Sequence, residues 1–281
     1  FLNGRIDLAQ AEAVCDLVEA RTQASLRQAV RQLQGTMSRE INSALDSLVK
    51  TTAVLEASLD FPEDDLDLPE IPEIVAETSA ICSKLEGLIS SYARGRIFRE
   101  GVTAILVGRP NVGKSSLFNA ILNEERAIVT ETPGTTRDSI EEWVNICGIP
   151  FTVIDTAGFR QVADRIEILG QRRTTMLLEG ADMVVFLMDA STSLTEEDRA
   201  ILPNLRGKRV LAVLNKCDLP RKVEEAAVRA LLPDAPILHI SALHGTGIEK
   251  LKEMMGEVVL RGIEPAAESP VITAARHKEA L

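Results

Sequence analysis

Gly108-Arg109-Pro110-Asn111-Val112-Gly113-Lys114-Ser115 fits the spacing G-x-x-x-x-G-K-[ST] of a phosphate-binding loop. That spacing suits polyanions. The loop from Asn111 through Val112 and Gly113 to Ser116 can turn several backbone N–H groups onto one anion, and the helix that follows adds the positive end of its dipole. Lys114 is placed to reach the outer phosphates, and the Ser115 hydroxyl to ligate magnesium. Three more stretches extend the pattern. Asp155-Thr156-Ala157-Gly158 puts a carboxylate where it can hold magnesium through water, and the Gly158 N–H where it can meet a terminal phosphate. Asn215-Lys216-Cys217-Asp218 supplies a carboxylate, Asp218, that can accept from the guanine ring N–H and exocyclic amine together. Adenine lacks that donor pair and would leave the carboxylate unpaired, which discriminates strongly. In Ser241-Ala242-Leu243 a backbone N–H can meet the guanine carbonyl.

Each of these stretches follows an apolar run of strand length. The predicted strands are Thr103–Val107, Trp143–Cys147, Phe151–Ile154, Met183–Met188, Val210–Leu214 and Ile237–Ile240. Helical patterns alternate with them near Lys114–Leu122, Glu167–Glu179, Glu196–Leu205, Val223–Leu231 and Ile248–Leu260. Gly148-Ile149-Pro150 is too short for a crossover, so the strands it joins pair antiparallel. The rest reads as a mostly parallel six-stranded sheet with helices on both faces, an α/β domain over residues 101–262. Ligands of such sheets sit at the carboxyl ends of the strands, where all four motifs fall.

Residues 1–60 read as helix, an acidic connector follows at Glu63–Asp67, and 1–98 together read as the first part of a helical domain. Asp7 is placed to cap a first helix with apolar positions at Leu8, Ala11, Cys15 and Val18. From Leu26 to Leu59 apolar residues recur at steps of mostly three or four, which predicts one helix roughly 50 Å long at about 1.5 Å per residue, with Gly35 its weak point. Pro72 suits the first turn of another helix, and 94–100 reads as a polar lead into the α/β domain. Long amphipathic helices need further helices to cover them. Ser269-Pro270 looks like a cap and first-turn proline, and Val271–Leu281 begins a helical pattern. The α/β domain thus reads as inserted into an all-α domain that resumes at 266–281; the alternative is a frayed tail. The chain opens at Phe1 and not at methionine, and the expectation is a fragment.

Composition narrows the class. Of 281 residues, 45% are hydrophobic and 26% charged, which is globular rather than disordered. The net charge of −11 argues against broad non-specific nucleic-acid affinity of this piece. No run of 18 apolar residues offers a transmembrane helix, and no membrane role is expected. Cys15, Cys82, Cys147 and Cys217 have no ligand-pair spacing; they read as reduced, buried or semi-buried thiols of a cytoplasmic protein.

Between the first α/β helix and the second strand, Arg126–Asp138 contains Thr132-Pro133-Gly134-Thr135-Thr136-Arg137-Asp138. A threonine hydroxyl here can complete a magnesium shell, although TPGT also suits a plain turn. After Gly158 stands Phe159, where Ras-like GTPases place a glutamine that orients the attacking water. Phenylalanine cannot do this, so either hydrolysis is feeble or another group takes the role.

GRPNVGKS, GTTRD, DTAGF, NKCD and SAL, with the opening FLNGRIDLAQAEAVCDLVEA, resemble the MnmE (TrmE) family of tRNA-modification GTPases along essentially the whole chain. The resemblance implies a P-loop GTPase domain inserted into a helical domain, binding GTP or GDP with magnesium. It implies Thr136 as a second magnesium ligand and a potassium ion held by Asn111 and the loop oxygens of Thr130, Thr132 and Thr135, in place of an arginine finger. It implies Glu167, twelve positions after Asp155, as the water-orienting carboxylate, with Lys114 and Gly158 stabilising charge on the phosphates. From the residues alone, Glu167 is more simply a first-turn carboxylate favoured by the helix dipole, and Asn111 could merely brace its own loop. The family's activity is modification of the wobble uridine of certain tRNAs, with a flavin-containing partner protein and through a homodimer whose nucleotide domains meet. The family's folate-binding N-terminal domain and cysteine-bearing C-terminal end have no counterpart in this sequence. Two other readings stand beside this one: a ribosome-assembly switch of the Era or Der kind, and a scaffold that binds GTP without useful hydrolysis.

Overall fold

A computed structural model describes residues 5–60, 69–123, 141–156, 177–263 and 271–280. The chain forms two compact units, Phe1–Arg99 with Gly262–Leu281, and Glu100–Arg261.

The helical unit begins with α1 (Leu8–Glu19), capped as expected by Asp7. Asp7 Oδ1 accepts from the Gln10 N–H at 2.7 Å, and Gln10 Oε1 accepts from the Asp7 N–H at 2.9 Å, a reciprocal capping box. The single helix predicted from Leu26 to Leu59 is instead two, α2 (Gln23–Leu33) and α3 (Thr36–Asp60). Gly35 breaks it by adopting the left-handed conformation, φ +73°. The break is fixed from outside, because Gln10 Nε2 donates to the Leu33 carbonyl at 2.9 Å and occupies an acceptor that a continuing helix would use. The apolar stripe is only partly covered: Met37 and Ala44 are buried, whereas Leu48, Leu55 and Leu59 are exposed among the described residues. Helix α4 (Ile71–Glu100) has Pro72 in its first turn. Residues 94–100, expected as an irregular lead, continue this helix. Arginines are good helix formers, and Arg99 Nε is anchored 2.7 Å from Asp16 Oδ1 on α1.

In the second unit the strands are β1 (Val102–Val107), β2 (Glu141–Ile146), β3 (Ile149–Asp155), β4 (Met183–Asp189), β5 (Arg209–Asn215) and β6 (Ile237–His239). They form one sheet in the order β2-β3-β1-β4-β5-β6. Every pairing is parallel except β2 with β3, the architecture expected of an α/β P-loop domain. The antiparallel turn is tighter than predicted. Cys147 and Gly148, at φ +53° and +83°, make it alone, and Ile149 and Pro150 belong to β3. β4 is buried along its whole length, so the centre of the sheet is covered on both faces. Helices among the described residues include α5 (Lys114–Asn123), α6 (Glu196–Ile201), α7 (Glu225–Leu231) and α8 (Ile248–Leu260). Most of the helix predicted at Glu167–Glu179 lies outside the described residues. No helix among the described residues is long and apolar enough to cross a membrane. All four cysteines are free and exposed, against the expectation of burial; Cys147, for one, sits at the tip of the β2–β3 turn.

The returning segment begins later as helix than its pattern suggests. Residues 271–274 are not helical, and α9 spans Ala275–Ala280. Packing decides this. A Cβ on Gly95 of α4 would lie 2.0 Å from the Ile272 carbonyl oxygen, so only glycine lets this backbone rest on the helix. The Ile272 N–H donates to Ser91 Oγ at 3.0 Å, the Thr273 hydroxyl to Gln32 Oε1 at 2.8 Å, and Ile272 packs with Met37 and Leu88. On α9, His277 Nε2 lies 3.1 Å from Glu12 Oε2, with Arg276 also on Glu12 at 2.6 Å. Burial pushes the His277 pKa below the usual 6.5; Glu12 works against this and Arg276 with it. A histidine whose folded pKa is lowered binds a proton more readily when unfolded, so stability falls as pH drops through about 6.5. The melting temperature of the wild type should therefore fall more between about pH 7.5 and about pH 5.5 than that of His277→Gln. Equal falls in both would remove His277 from the acid response.

Candidate nucleotide site

The sheet topology brings the motifs together. The loop after β1, the end of β3, the turn after β5 and the loop after β6 all lie at strand carboxyl ends. A cleft of about 670 Å³ runs among the loops after β1, β5 and β6; Asp155, at the end of β3, reaches it only through its bond from Ser115 and is not part of its lining. Asn111, Gly113, Lys114, Ser115 and Ser116 line one end, and Asn215, Lys216, Asp218, Ser241 and Ala242 the other. Pro110, Leu219 and Leu243, which the motif reading left without a role, line it too. Val112, expected at the nucleotide, is fully buried and does not line the cleft.

The phosphate loop is built on close approaches. A Cβ on Gly108 would stand 2.4 Å from the Leu187 carbonyl oxygen, and one on Gly113, whose φ is +99°, 2.3 Å from Asn215 Nδ2. Both positions require glycine. Asn111 holds φ +61°, unusual for a residue with a side chain, and is exposed to the cleft. Lys114 begins α5 and is 7% exposed. Its ammonium donates to the Gly108 and Arg109 carbonyls at 2.8 and 2.9 Å, which closes the loop over the helix N-terminus. Ser115 Oγ donates to Asp155 Oδ2 at 2.7 Å. Arg109 points away from the cleft, bonded to Thr192 and 3.6 Å from the buried Asp198 carboxylate.

Asn215 is the joint between the two ends of the cleft. Its Nδ2 donates to the Val112 carbonyl at 2.8 Å, and its Oδ1 accepts from the Ala242 N–H at 2.9 Å. One buried amide thus ties the phosphate loop to the loop after β6, and of the backbone N–H groups of Ser241-Ala242-Leu243 that of Ala242 is already engaged. Asp218 accepts from the Ser241 hydroxyl at 2.5 Å, and that bond holds its carboxyl below the usual range. Lys216 takes the left-handed conformation, φ +64°, and bonds Asp189 Oδ2 at 2.6 Å. Burial opposes ionisation of Asp189, but bonds from Lys216 and Ser191 outweigh it and keep its pKa low. Motif reading missed Asp189; the only available signal was an acid ending a strand, as Asp155 does. Gly158, Thr130, Thr132, Thr135, Thr136 and Glu167 lie outside the described residues.

A glycine loop at a helix N-terminus, a hydroxyl on a strand-end carboxylate and an Asn-Lys-x-Asp turn, around one cleft of a mostly parallel sheet, define a P-loop domain of the GTPase class. A model of the MnmE helical domain matches residues 8–281, and the chain belongs to that family. A tRNA modification GTPase MnmE of Natranaerobius thermophilus is 45% identical over 281 residues, covering 100% of this chain and 61% of that protein. The same-named protein of Heliobacterium modesticaldum is 43% identical over 288 residues, covering 100% of this chain and 62% of that one. The chain thus spans about 61% of the length of the curated relatives it matches. Among solved structures, the FeoB G-domain of Methanococcus jannaschii aligns at 26% identity and a TM-score of 0.43, over 56% of this chain and 97% of that one. Era in complex with MgGDPNP and 16S ribosomal RNA aligns at 25% identity and 0.44, over 59% of each.

Proposed function

We propose that this chain binds GTP and hydrolyses it to GDP and phosphate, and that in the whole protein this cycle drives modification of the wobble uridine of tRNA in the cytoplasm. The observation that carries the reading is the Asn215 amide, which ties the phosphate-binding loop and the loop after β6 to the turn that carries Asp218. Family membership and the printed name of the relatives support the tRNA part. A flavin-containing partner protein and a homodimer belong to the same proposal.

The chemistry falls to named residues. Loop N–H groups and the α5 N-terminus hold the phosphates, and Asp218 selects guanine. Ser115 Oγ and Asp155, hard oxygens 2.7 Å apart, suit magnesium, with Thr136 as a further ligand. Magnesium would neutralise charge on the phosphate oxygens. Glu167 is proposed to orient the attacking water, because Phe159 cannot. At Asn111 the exposed amide offers an oxygen to a monovalent cation, with Thr130, Thr132 and Thr135 as the remaining donors. Potassium there would add positive charge where the arginine finger of other GTPases acts.

The test is GTP turnover in potassium against sodium at equal ionic strength. Potassium should give at least about tenfold faster hydrolysis, and Asn111→Ala should erase most of the difference. Equal rates in the two salts would end the potassium proposal, and absence of turnover in both the GTPase reading.

A further inference from the structure

Asp189 closes β4 and lies in register with Asn215 of β5, so its side chain stands beside the turn that carries Lys216. It is 7% exposed, and both carboxylate oxygens are used. Oδ1 accepts from the Ser191 N–H at 2.9 Å and the Ser191 hydroxyl at 2.6 Å, and Oδ2 accepts from Lys216 Nζ at 2.6 Å. The surrounding backbone is fixed as well. The Ala190 N–H donates to the Asn215 carbonyl at 2.8 Å, and the Ala190 carbonyl accepts from Lys222 at 2.8 Å. Asp189 is therefore a rigid anion that cannot follow Lys216 if the lysine moves.

Lys216 lines the cleft two residues before Asp218, with its side chain 32% exposed. An untethered lysine there would swing freely, and its charge would be drawn toward any phosphate in the cleft. With the ammonium pinned to a buried carboxylate, four methylenes are presented along the cleft wall instead.

We propose that Asp189 is a positioning residue for nucleotide binding that acts through Lys216: it pins the ammonium so that the lysine stem stands ready as the apolar wall for the flat ring of the base. This rests on the guanine-nucleotide reading. Pinning removes rotamer entropy before the ligand arrives, so affinity rises without a new contact to ligand. The benefit belongs to the base and is the same for GDP, GTP and guanosine.

The experiment is equilibrium binding of guanosine, GDP and GTP to the whole chain with Asp189→Asn, Lys216→Met and the double variant. Asp189→Asn should weaken all three ligands by a common factor of about tenfold, with the loss in KM rather than kcat. Asp189→Glu, which keeps the charge, should recover part of it. In the Lys216→Met background, where the stem has no ammonium to pin, Asp189→Asn should cost nothing further. A loss of the same size in that background, or unchanged binding by Asp189→Asn, overturns the inference. Should Asp189→Asn not fold, Lys216→Met against Lys216→Ala decides: the stem-keeping variant must bind guanosine more tightly than alanine, and equal binding overturns the idea. Failure of the wild type to bind guanine ligands at all would instead sink the reading beneath it.

Discussion

Asp218→Asn is expected to turn a guanine site into a xanthine site. The Asp218 carboxylate can accept from two adjacent N–H groups at once, the arrangement guanine presents. Xanthine keeps the ring N–H but carries a carbonyl in place of the amine, so it needs one acceptor and one donor. An asparagine amide supplies that pair if its NH₂ faces the base, and Ser241 favours this orientation. The hydroxyl that now donates to Asp218 Oδ1 at 2.5 Å can donate to the amide oxygen in the same place. GTP affinity should fall about 100-fold or more, the loss expected when two hydrogen bonds to one charged acceptor are replaced by one neutral bond and a clash of donors. Affinity for xanthosine triphosphate should rise until it exceeds that for GTP. Ser241→Ala should weaken GTP far less, since it removes only the group that orients the carboxylate. Competition of GTP, ATP and xanthosine triphosphate for wild type and variant measures all of this. Equal wild-type affinity for ATP and GTP, or a variant that still prefers GTP, would show that Asp218 does not read the base.

How much of this was legible in the sequence follows from where each constraint originates. The phosphate loop, Asp155, Asn215, Asp218 and Ser241 were legible because each lies next to its strand, and alternation of strands with helices already places strand ends on one edge. The break at Gly35 was legible only as a weak point. What decides it is Gln10, an amide on another helix that takes the Leu33 carbonyl. The late start of α9 follows from Gly95, whose missing Cβ admits the Ile272 carbonyl from far along the chain. The Asp189–Lys216 pair spans 27 residues and joins two neighbouring strand ends; no periodicity announces it, because neither residue repeats anything. The double duty of Asn215 was hidden in the same way. Its motif suggested contact with ligand, whereas its bonds to Val112 and Ala242 brace the site. Local patterns carry elements and motif positions. Side-chain bridges between elements become visible only after folding.

Lys114→Met is expected to leave the fold standing and to remove at least about 1000-fold of kcat/KM for GTP. Lys114 and Lys216 are the two cations among the described residues lining the cleft, and Lys216 is committed to Asp189. Lys114 is the one whose ammonium is held inside the phosphate loop itself. Among its partners are the carbonyls of Gly108 and Arg109, at 2.8 and 2.9 Å. These fix the ammonium inside the loop, in a setting only 7% exposed where a charge acts strongly. As negative charge grows on the leaving oxygens during hydrolysis, a cation already in place stabilises it with little reorganisation. Methionine keeps an unbranched stem of similar length and removes only the charge and the donors. The defect should be selective: guanosine should bind almost as well as to wild type, GDP and GTP should bind less well, and kcat should fall furthest. Lys114→Arg should not rescue hydrolysis, because a planar fork cannot meet both loop carbonyls as a single ammonium does. A melting temperature close to wild type with this pattern of losses would assign Lys114 to the phosphates. Wild-type turnover by Lys114→Met would mean that the glycine loop is not the phosphate site, and an equal loss of guanosine and GDP binding would mean that the lysine only holds the loop in shape.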